Sequence, residues 1–250
     1  MPDMTSEMRE RPAISVVVPV RNEADNVAPL TDEIAAVLTG RESFELIYVN
    51  DGSTDGTQAA LTALAVERPW LRQIKHAASC GQSAAVRSGV AAAHAPVVVT
   101  LDGDGQNDPS FIPALLNALN EGGARMGLVA GQRVGRRSGA FKSFQSRIAN
   151  GVRAAILRDG TRDTGCGLKA FRRDVFLIMP YFDGLHRFLP ALIRREGRDI
   201  AYVDVIDRPR YSGVSNYGFF DRLWIGIMDL AGVWWLIRRK KPTPVATEVT

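Results

Sequence analysis

Asp102 and Asp104 sit one residue apart at the end of the run Val97-Val-Val-Thr-Leu-Asp-Gly-Asp-Gly-Gln106. The apolar, β-branched lead-in reads as a buried strand, and the strand stops where the carboxylates appear. On a turn loosened by glycine, two carboxylates at this spacing can present oxygens to one hard divalent cation. Mg²⁺ takes oxygen ligands, keeps several waters, and is shared between one or two carboxylates and substrate phosphates. The segment therefore suits a metal-bound diphosphate, and hence a nucleotide-activated substrate. Taken alone, the same residues also fit an ordinary polar turn, because Asp and Gly are common turn formers. The choice between the two rests on the rest of the chain.

The elements that must position these aspartates are readable from the alternation of apolar runs and helical patterns. Ile14–Val20 is a valine-rich strand, followed by a helix over about 27–39. Phe44–Asn50 is a second strand, ending at Asp51-Gly-Ser-Thr-Asp-Gly-Thr57, with a helix over 57–67. Leu71–His76 is a third, weaker strand before an alanine-rich helix over 82–94. Val97–Leu101, a helix over 109–121 and a strand over Met126–Gly131 complete this half. Strands that are apolar throughout and alternate with helices imply a parallel sheet covered on both faces. Ligands of open α/β sheets bind beyond the carboxyl ends of the strands. Those ends here carry Arg21–Glu23, Asp51, Asp102 with Asp104, and Gln132–Arg133. Topology thus brings to one edge polar groups that no single turn would connect.

After 133 the chain turns basic. An amphipathic helix is expected over 141–157, a turn into a strand over 163–171, helices over 173–180 and 184–197, a strand over 200–206, and a loop over 208–218. The 250 residues are 46% hydrophobic and 23% charged, which is globular rather than disordered composition. A net charge of +4, from 31 basic and 27 acidic residues, is too mild to argue for nucleic acid. Two cysteines make no disulfide framework and fit a reduced compartment. The polar N-terminus lacks an apolar core, so no signal peptide is expected.

The segments VVVPVRNE, NDGSTDGT, CGQSAAVRSG, LDGDGQNDP, DTGCGLKAFRR and GVSNYG occur in an order that resembles family 2 glycosyltransferases of the GT-A fold. Within that family the chain resembles the polyprenyl-phosphate glycosyltransferases of the dolichol-phosphate mannose synthase type, from about 13 to 240. The resemblance implies an α/β, Rossmann-like, mostly parallel sheet with helices on both faces. It also implies inverting transfer of a sugar from a UDP- or GDP-linked donor to a polyprenyl phosphate, with Mg²⁺ or Mn²⁺ as cofactor. By resemblance, Pro19, Arg21, Glu23, Asp51 and Asp102 line the nucleotide pocket, with Asp51 toward the base or ribose. Asp102, Asp104 and Gln106 match the metal motif. Asp104, Arg133, Asp163 and Lys169 are the residues expected to carry catalysis. Arg133, Arg147, His186, Arg187, Arg210 and Ser215 are expected to hold the acceptor and the phosphates. Two positions depart from the family pattern: Asn50 stands where an aspartate is usual, and Asn216 where a lysine is usual. For Asp51 itself, a helix cap or turn role is the competing reading.

The acceptor is read from what the 184–190 segment holds. Relatives that glycosylate hydroxyls usually carry a Glu-Asp pair there, whereas this chain has Gly184-Leu-His-Arg-Phe-Leu-Pro190. A hydroxyl needs a general base within reach. A phosphate monoester, with a second pKa of about 6, does not. Asp183 is the one nearby base candidate and is expected to be a helix cap. At the C-terminal end, Phe219–Ile237 is apolar but interrupted by Asp221, Arg222 and Asp229, and Arg238-Arg-Lys-Lys241 follows. Tryptophan beside cations suits a headgroup interface. The expected organisation is a flexible N-terminus (1–12), a catalytic domain (13–212), a loop with membrane-associated amphipathic helices (213–241) and a disordered tail (242–250). The protein should then sit peripherally on the cytoplasmic face of a membrane. A homo-oligomer is compatible with the resemblance. Transfer to a hydroxyl, and a catalytically silent nucleotide-sugar-binding scaffold, are the rival readings.

Overall fold

The computed structural model describes residues 11–134, 151, 153, 155–208 and 219–241. Seven strands form one sheet: β1 (Ile14–Val20), β2 (Phe44–Asn50), β3 (Leu71–Lys75), β4 (Val97–Thr100), β5 (Met126–Arg133), β6 (Lys169–Arg172) and β7 (Asp199–Val205). Their order is β3-β2-β1-β4-β6-β5-β7. β6 runs antiparallel to both its neighbours, β4 and β5, and the other pairings are parallel. The first residue of β6, Lys169, therefore lies at the same sheet edge as the carboxyl ends of β1, β2, β4 and β5.

Helices α1 (Val27–Leu38), α2 (Thr57–Glu67), α3 (Gln82–Ala92), α4 (Ile112–Glu121), α5 (Arg173–Leu177), α6 (Leu189–Arg195) and α7 (Phe219–Arg239) cover the sheet. Side chains alternate along a strand, so the valines of β1 split between two cores. Val16, Val18 and Val20 pack with Leu30, Ile34 and Leu115 on one face. Val17 packs on the other with Ile47, Val90, Phe171, Phe176 and Leu192. Pro19 lies within a central strand, yet pairing of β1 with β4 ends at Val17–Thr100. Its missing N–H thus falls where the β4 ladder has already stopped.

Four expectations need correcting. β6 is a four-residue strand inserted between β4 and β5, too short to carry a readable period. The helix expected over 184–197 divides into a 3₁₀ turn at Leu185–Arg187 and α6, because Gly184 takes a φ of +89° and Pro190 begins a new helical turn. Asp183 does not cap that turn; its Oδ1 accepts from Gly184 N at 3.0 Å. The C-terminal segment forms a single helix, α7, among the described residues. The tail 242–250 and most of the N-terminus, of helix 141–157 and of the 208–218 loop lie outside the described residues.

Phe171 sits at the centre of β6, fully buried and stacked on Phe176 at 5.2 Å between centroids. Phe171→Ala should destabilise the fold by about 3–5 kcal/mol. Urea denaturation followed by circular dichroism checks this; a loss below about 1 kcal/mol would show that β6 is not a core strand.

Candidate active site

The site is assembled where β1, β2, β4 and β5 end and β6 begins. At the end of β2, Asp51 is buried and its carboxylate accepts four hydrogen bonds. His76 Nδ1 (2.7 Å) and Cys80 N (2.8 Å) meet Oδ1, while Ser79 Oγ (2.8 Å) and Gly81 N (2.9 Å) meet Oδ2. Burial alone would raise its pKa, but these bonds outweigh burial and hold the carboxyl below its ordinary value. Asp51 therefore anchors the 76–81 loop. It does not cap α2, whose N-cap is Gly56. Asn50 accepts from Ser53 N (2.9 Å) through Oδ1 and donates to Gln58 Oε1 (2.9 Å). The Asn50 amide thus uses both its oxygen and its nitrogen. Asn22 and Thr57 stitch the β1 and β2 loops together: Asn22 Oδ1 accepts from Thr54 N (2.8 Å), and Thr57 Oγ1 accepts from Glu23 N (2.9 Å). Pro19 and Glu23 are half-buried beside this seam, and Arg21 is exposed.

At the end of β4 the chain passes so close to β1 that a Cβ on Gly103 would lie 2.5 Å from Val20 Cγ1 and 2.9 Å from Pro19 O. That contact is why a glycine separates the two aspartates. Asn107 Oδ1 accepts from Asp102 N (3.0 Å) and holds the turn. Asp104 Oδ1 accepts from Gln106 N (3.1 Å), and Gln106 O accepts from Arg208 N (2.9 Å). The Asp102 carboxylate lies against Gly167, where a Cβ would come within 2.3 Å of it. Burial and the neighbouring Asp104 charge push Asp102 up to about 6, against the pull of Lys169, Arg133 and Gln82. A buried carboxylate whose proton affinity is raised by a neighbouring carboxylate suits a divalent cation, so Asp102 and Asp104 fit the expected metal motif.

Lys169 is buried and donates to Cys166 O; burial lowers its pKa. It lines one small cavity with Pro19, Gln82, Asp102, His186 and Leu189. Arg133, at the end of β5, meets carboxylates where the sequence reading gave it a phosphate. Its Nη2 donates to Asp163 Oδ1 (2.8 Å), its Nε to Asp163 Oδ2, and its Nη1 to Asp207 Oδ2 (3.1 Å). The bidentate pair raises the Arg133 pKa further. At Asp163 burial works the other way, but Arg133 outweighs it and lowers the carboxyl. Arg133 and Asp163 thus organise the edge of the site between β5 and the 163–167 turn.

His186, expected to help hold the acceptor phosphate, is a neutral ring on the 185–187 turn. Burial, Lys169 and Arg187 push its pKa down to about 3, so the ring is neutral, with Nδ1 on Ser83 Oγ at 2.7 Å. Arg187 is exposed on the same turn. Arg147, Arg210 and Ser215 lie outside the described residues, as do Arg136, Arg137, Lys142 and Asn216. Sequence reasoning missed Gln82, Asn107 and Asp207. Gln82 was marked only by its place after a glycine at a helix start. Asp207 was marked only by lying beyond β7 at the shared edge.

The pH dependence of Asp51 has a definite sign. A carboxylate with a lowered folded pKa gives stability that is fully present above its unfolded pKa of about 3.9 and lost as pH falls through the folded value. Asp51→Asn should cost on the order of 2 kcal/mol at neutral pH and flatten the acid limb of stability below about pH 4. Unfolding curves across pH check this; an unchanged acid limb would show that Asp51 is not the linked group.

Comparison with known proteins agrees with this geometry. The family model described as glycosyl transferase family 2 matches residues 15–177. The chain is 34% identical over 232 residues to dodecaprenyl-phosphate galacturonate synthase of Rhizobium johnstonii, covering 91% of this chain and 68% of that protein. It is 32% identical over 208 residues to undecaprenyl-phosphate 4-deoxy-4-formamido-L-arabinose transferase of Edwardsiella ictaluri, covering 82% of this chain and 63% of that protein. The chain thus spans about two thirds of the length of these relatives. Among solved structures, glucosyl-3-phosphoglycerate synthase from Mycobacterium tuberculosis in complex with Mn²⁺, UDP and glucosyl-3-phosphoglycerate superposes with a TM-score of 0.67 at 21% identity, covering 90% of this chain and 80% of that one. The same enzyme with Mg²⁺ and UDP gives 0.66 at 21% identity, covering 90% and 79%. The fold is GT-A, and the chain belongs to glycosyltransferase family 2.

Proposed function

We propose that this glycosyltransferase moves a sugar from a nucleotide diphosphate sugar to a polyprenyl phosphate, with inversion at the anomeric carbon. The observation that carries the acceptor is the 183–190 segment, whose one carboxylate is Asp183 and whose His186 ring is held on Ser83 Oγ at 2.7 Å. With its pKa pushed down to about 3, the ring is too weak a base to take a hydroxyl proton at neutral pH. A phosphate acceptor is already anionic and needs positioning and charge neutralisation instead. The names of the two relatives, each a polyprenyl-phosphate transferase or synthase, support the same acceptor.

Asp102 and Asp104 would hold Mg²⁺ or Mn²⁺, which when bound offsets negative charge on the departing diphosphate. Lys169 adds a buried positive charge at the same edge. Arg133 and Asp163 keep the β5 end and the 163–167 turn in register. Arg187 is the exposed cation of the acceptor segment. The nucleotide, UDP or GDP, would sit over the β1–β2 seam between Arg21 and the loop that Asp51 anchors. The exposed Asp183 carboxylate keeps a hydroxyl acceptor in view as a second reading.

α7 supports a membrane surface as partner. No helix among the described residues is long and apolar enough to cross a membrane. α7 packs Leu230, Val233, Leu236 and Ile237 inward and leaves Ile227, Met228, Trp234 and Trp235 exposed. Arg238 lies over the Trp234 ring at 4.4 Å and Arg239 over Trp235 at 5.9 Å. Aromatic rings and cations so combined match a headgroup interface.

Asp104→Ala should abolish transfer to a short polyprenyl phosphate across a panel of UDP- and GDP-sugars with Mn²⁺, while circular dichroism stays that of the wild type. Retained transfer would sink the metal assignment, and product on a sugar hydroxyl with none on the phosphate would favour the second reading. The double substitution Trp234→Ser/Trp235→Ser should weaken co-sedimentation with anionic phospholipid vesicles several-fold. Unchanged sedimentation would remove α7 as the docking face.

A further inference from the structure

Three consecutive residues at the start of α3 each hold a different part of the site. Gly81 N donates to Asp51 Oδ2 at 2.9 Å, Gln82 Nε2 donates to Asp102 Oδ1 at 2.7 Å, and Ser83 Oγ pairs with His186 Nδ1 at 2.7 Å. The anchor of the β2 end, the first aspartate of the metal motif and the acceptor segment are thus tied to one turn of backbone. The middle residue has no other evident task. Gln82 is exposed and contributes nothing to the core. The cap position of α3 is Gly81, with no side-chain cap bond.

We propose that Gln82 is a positioning residue for the cation site, fixing the orientation of the Asp102 carboxylate and linking it to the loop that Asp51 anchors. The inference rests on the reading of Asp102 and Asp104 as cation ligands. The main chain of Asp102 is set by Asn107, but its carboxylate needs a separate restraint, because it can turn about its own side-chain bonds. Gly167 closes one side, with no room for a Cβ. Gln82 supplies the directional bond on Oδ1. A carboxylate has about four acceptor sites, so one amide N–H orients it and leaves capacity for a cation. A neutral amide is also the donor that suits this place. A lysine or arginine at 82 would bring a positive charge that competes with the cation for Asp102. Groups that orient a metal ligand set its affinity although they never touch the metal.

The test is Mn²⁺ titration of the full chain, read by the electron paramagnetic resonance signal of free Mn²⁺, with UDP and separately with GDP present. Gln82→Met keeps the length of the side chain and removes the donor. Its Mn²⁺ dissociation constant should rise roughly ten-fold, with thermal unfolding unchanged, because the residue is exposed. Ser83→Ala breaks the adjacent bond to His186 and should leave Mn²⁺ affinity at the wild-type value. Wild-type affinity in Gln82→Met would overturn the proposal, and so would equal weakening in both variants, which would mean a general loosening of the turn. If the wild-type chain binds no Mn²⁺ with either nucleotide, the cation reading falls and this proposal falls with it.

Discussion

The constraint on which the site depends is the crowding of negative charge at one edge of a sheet whose interior is apolar. Asp51, Asp102, Asp104, Asp163 and Asp207 all gather there, and burial makes each uncompensated carboxylate costly. The chain answers in two ways. Asp51 is satisfied by four hydrogen bonds from the loop it anchors, and these hold its carboxyl below the ordinary value. Asp163 and Asp207 are satisfied by Arg133. At Asp102 burial and the Asp104 charge outweigh the pull of Lys169, Arg133 and Gln82, and its carboxyl is pushed up. A divalent cation beside Asp102 would supply the positive charge that Lys169 and Arg133 leave short.

The antiparallel β6 makes this arrangement possible. In a wholly parallel sheet, the edge holding the carboxyl ends receives side chains only from loops that leave strands. By reversing β6, the fold brings a strand into the edge and places Lys169 between Thr100 of β4 and Ala130 of β5, at the register of the metal motif. The residues just before β6 add the Gly167 contact to Asp102 and the Asp163 clasp on Arg133. One short strand thus supplies a cation, a steric wall and an organising carboxylate. Its own hold on the sheet comes from Phe171 in the core beneath.

Much of this was legible in the sequence, for identifiable reasons. β1, β2 and β4 are mostly apolar runs cut off by Asn, Asp and Gly, so their ends, and hence the positions of Asp51, Asp102 and Asp104, follow from local pattern. Strand–helix alternation then puts those ends on one edge. The reversal of β6 was not legible, because Lys-Ala-Phe-Arg is too short for a period and its neighbours are set by the whole sheet. Arg133 was placed correctly at its strand end, but its partners were not foreseen. Asp163 is 30 residues away and Asp207 is 74, and only closure of β5 against β6 and β7 brings them together. The neutral state of His186 was not legible for the same reason: the burial and the Lys169 charge that lower its pKa come from elements distant in sequence.

The acceptor side follows from how α7 is seated. Asp229 on its inward face lies against Gly184, where a Cβ would come within 2.8 Å of Asp229 Oδ2. Burial raises the Asp229 pKa, with Arg187 opposing that shift and Asp183 adding to it. The helix that shows Ile227, Met228 and Trp235 outward is thus in contact, through its opposite face, with the segment that carries His186 and Arg187. Arg195 Nε donates to Leu236 O at 3.0 Å and Lys240 Nζ to Glu196 Oε2 at 2.6 Å, fixing the far end of α7 to α6. A rigidly seated helix cannot shift without moving Gly184, and Gly184 is one residue from the turn that Ser83 holds to α3. The outward apolar face, the 184–187 segment and the Asp102 turn are therefore joined by a short series of contacts. The seating of α7 and the order of the sheet edge are thus set by the same contacts.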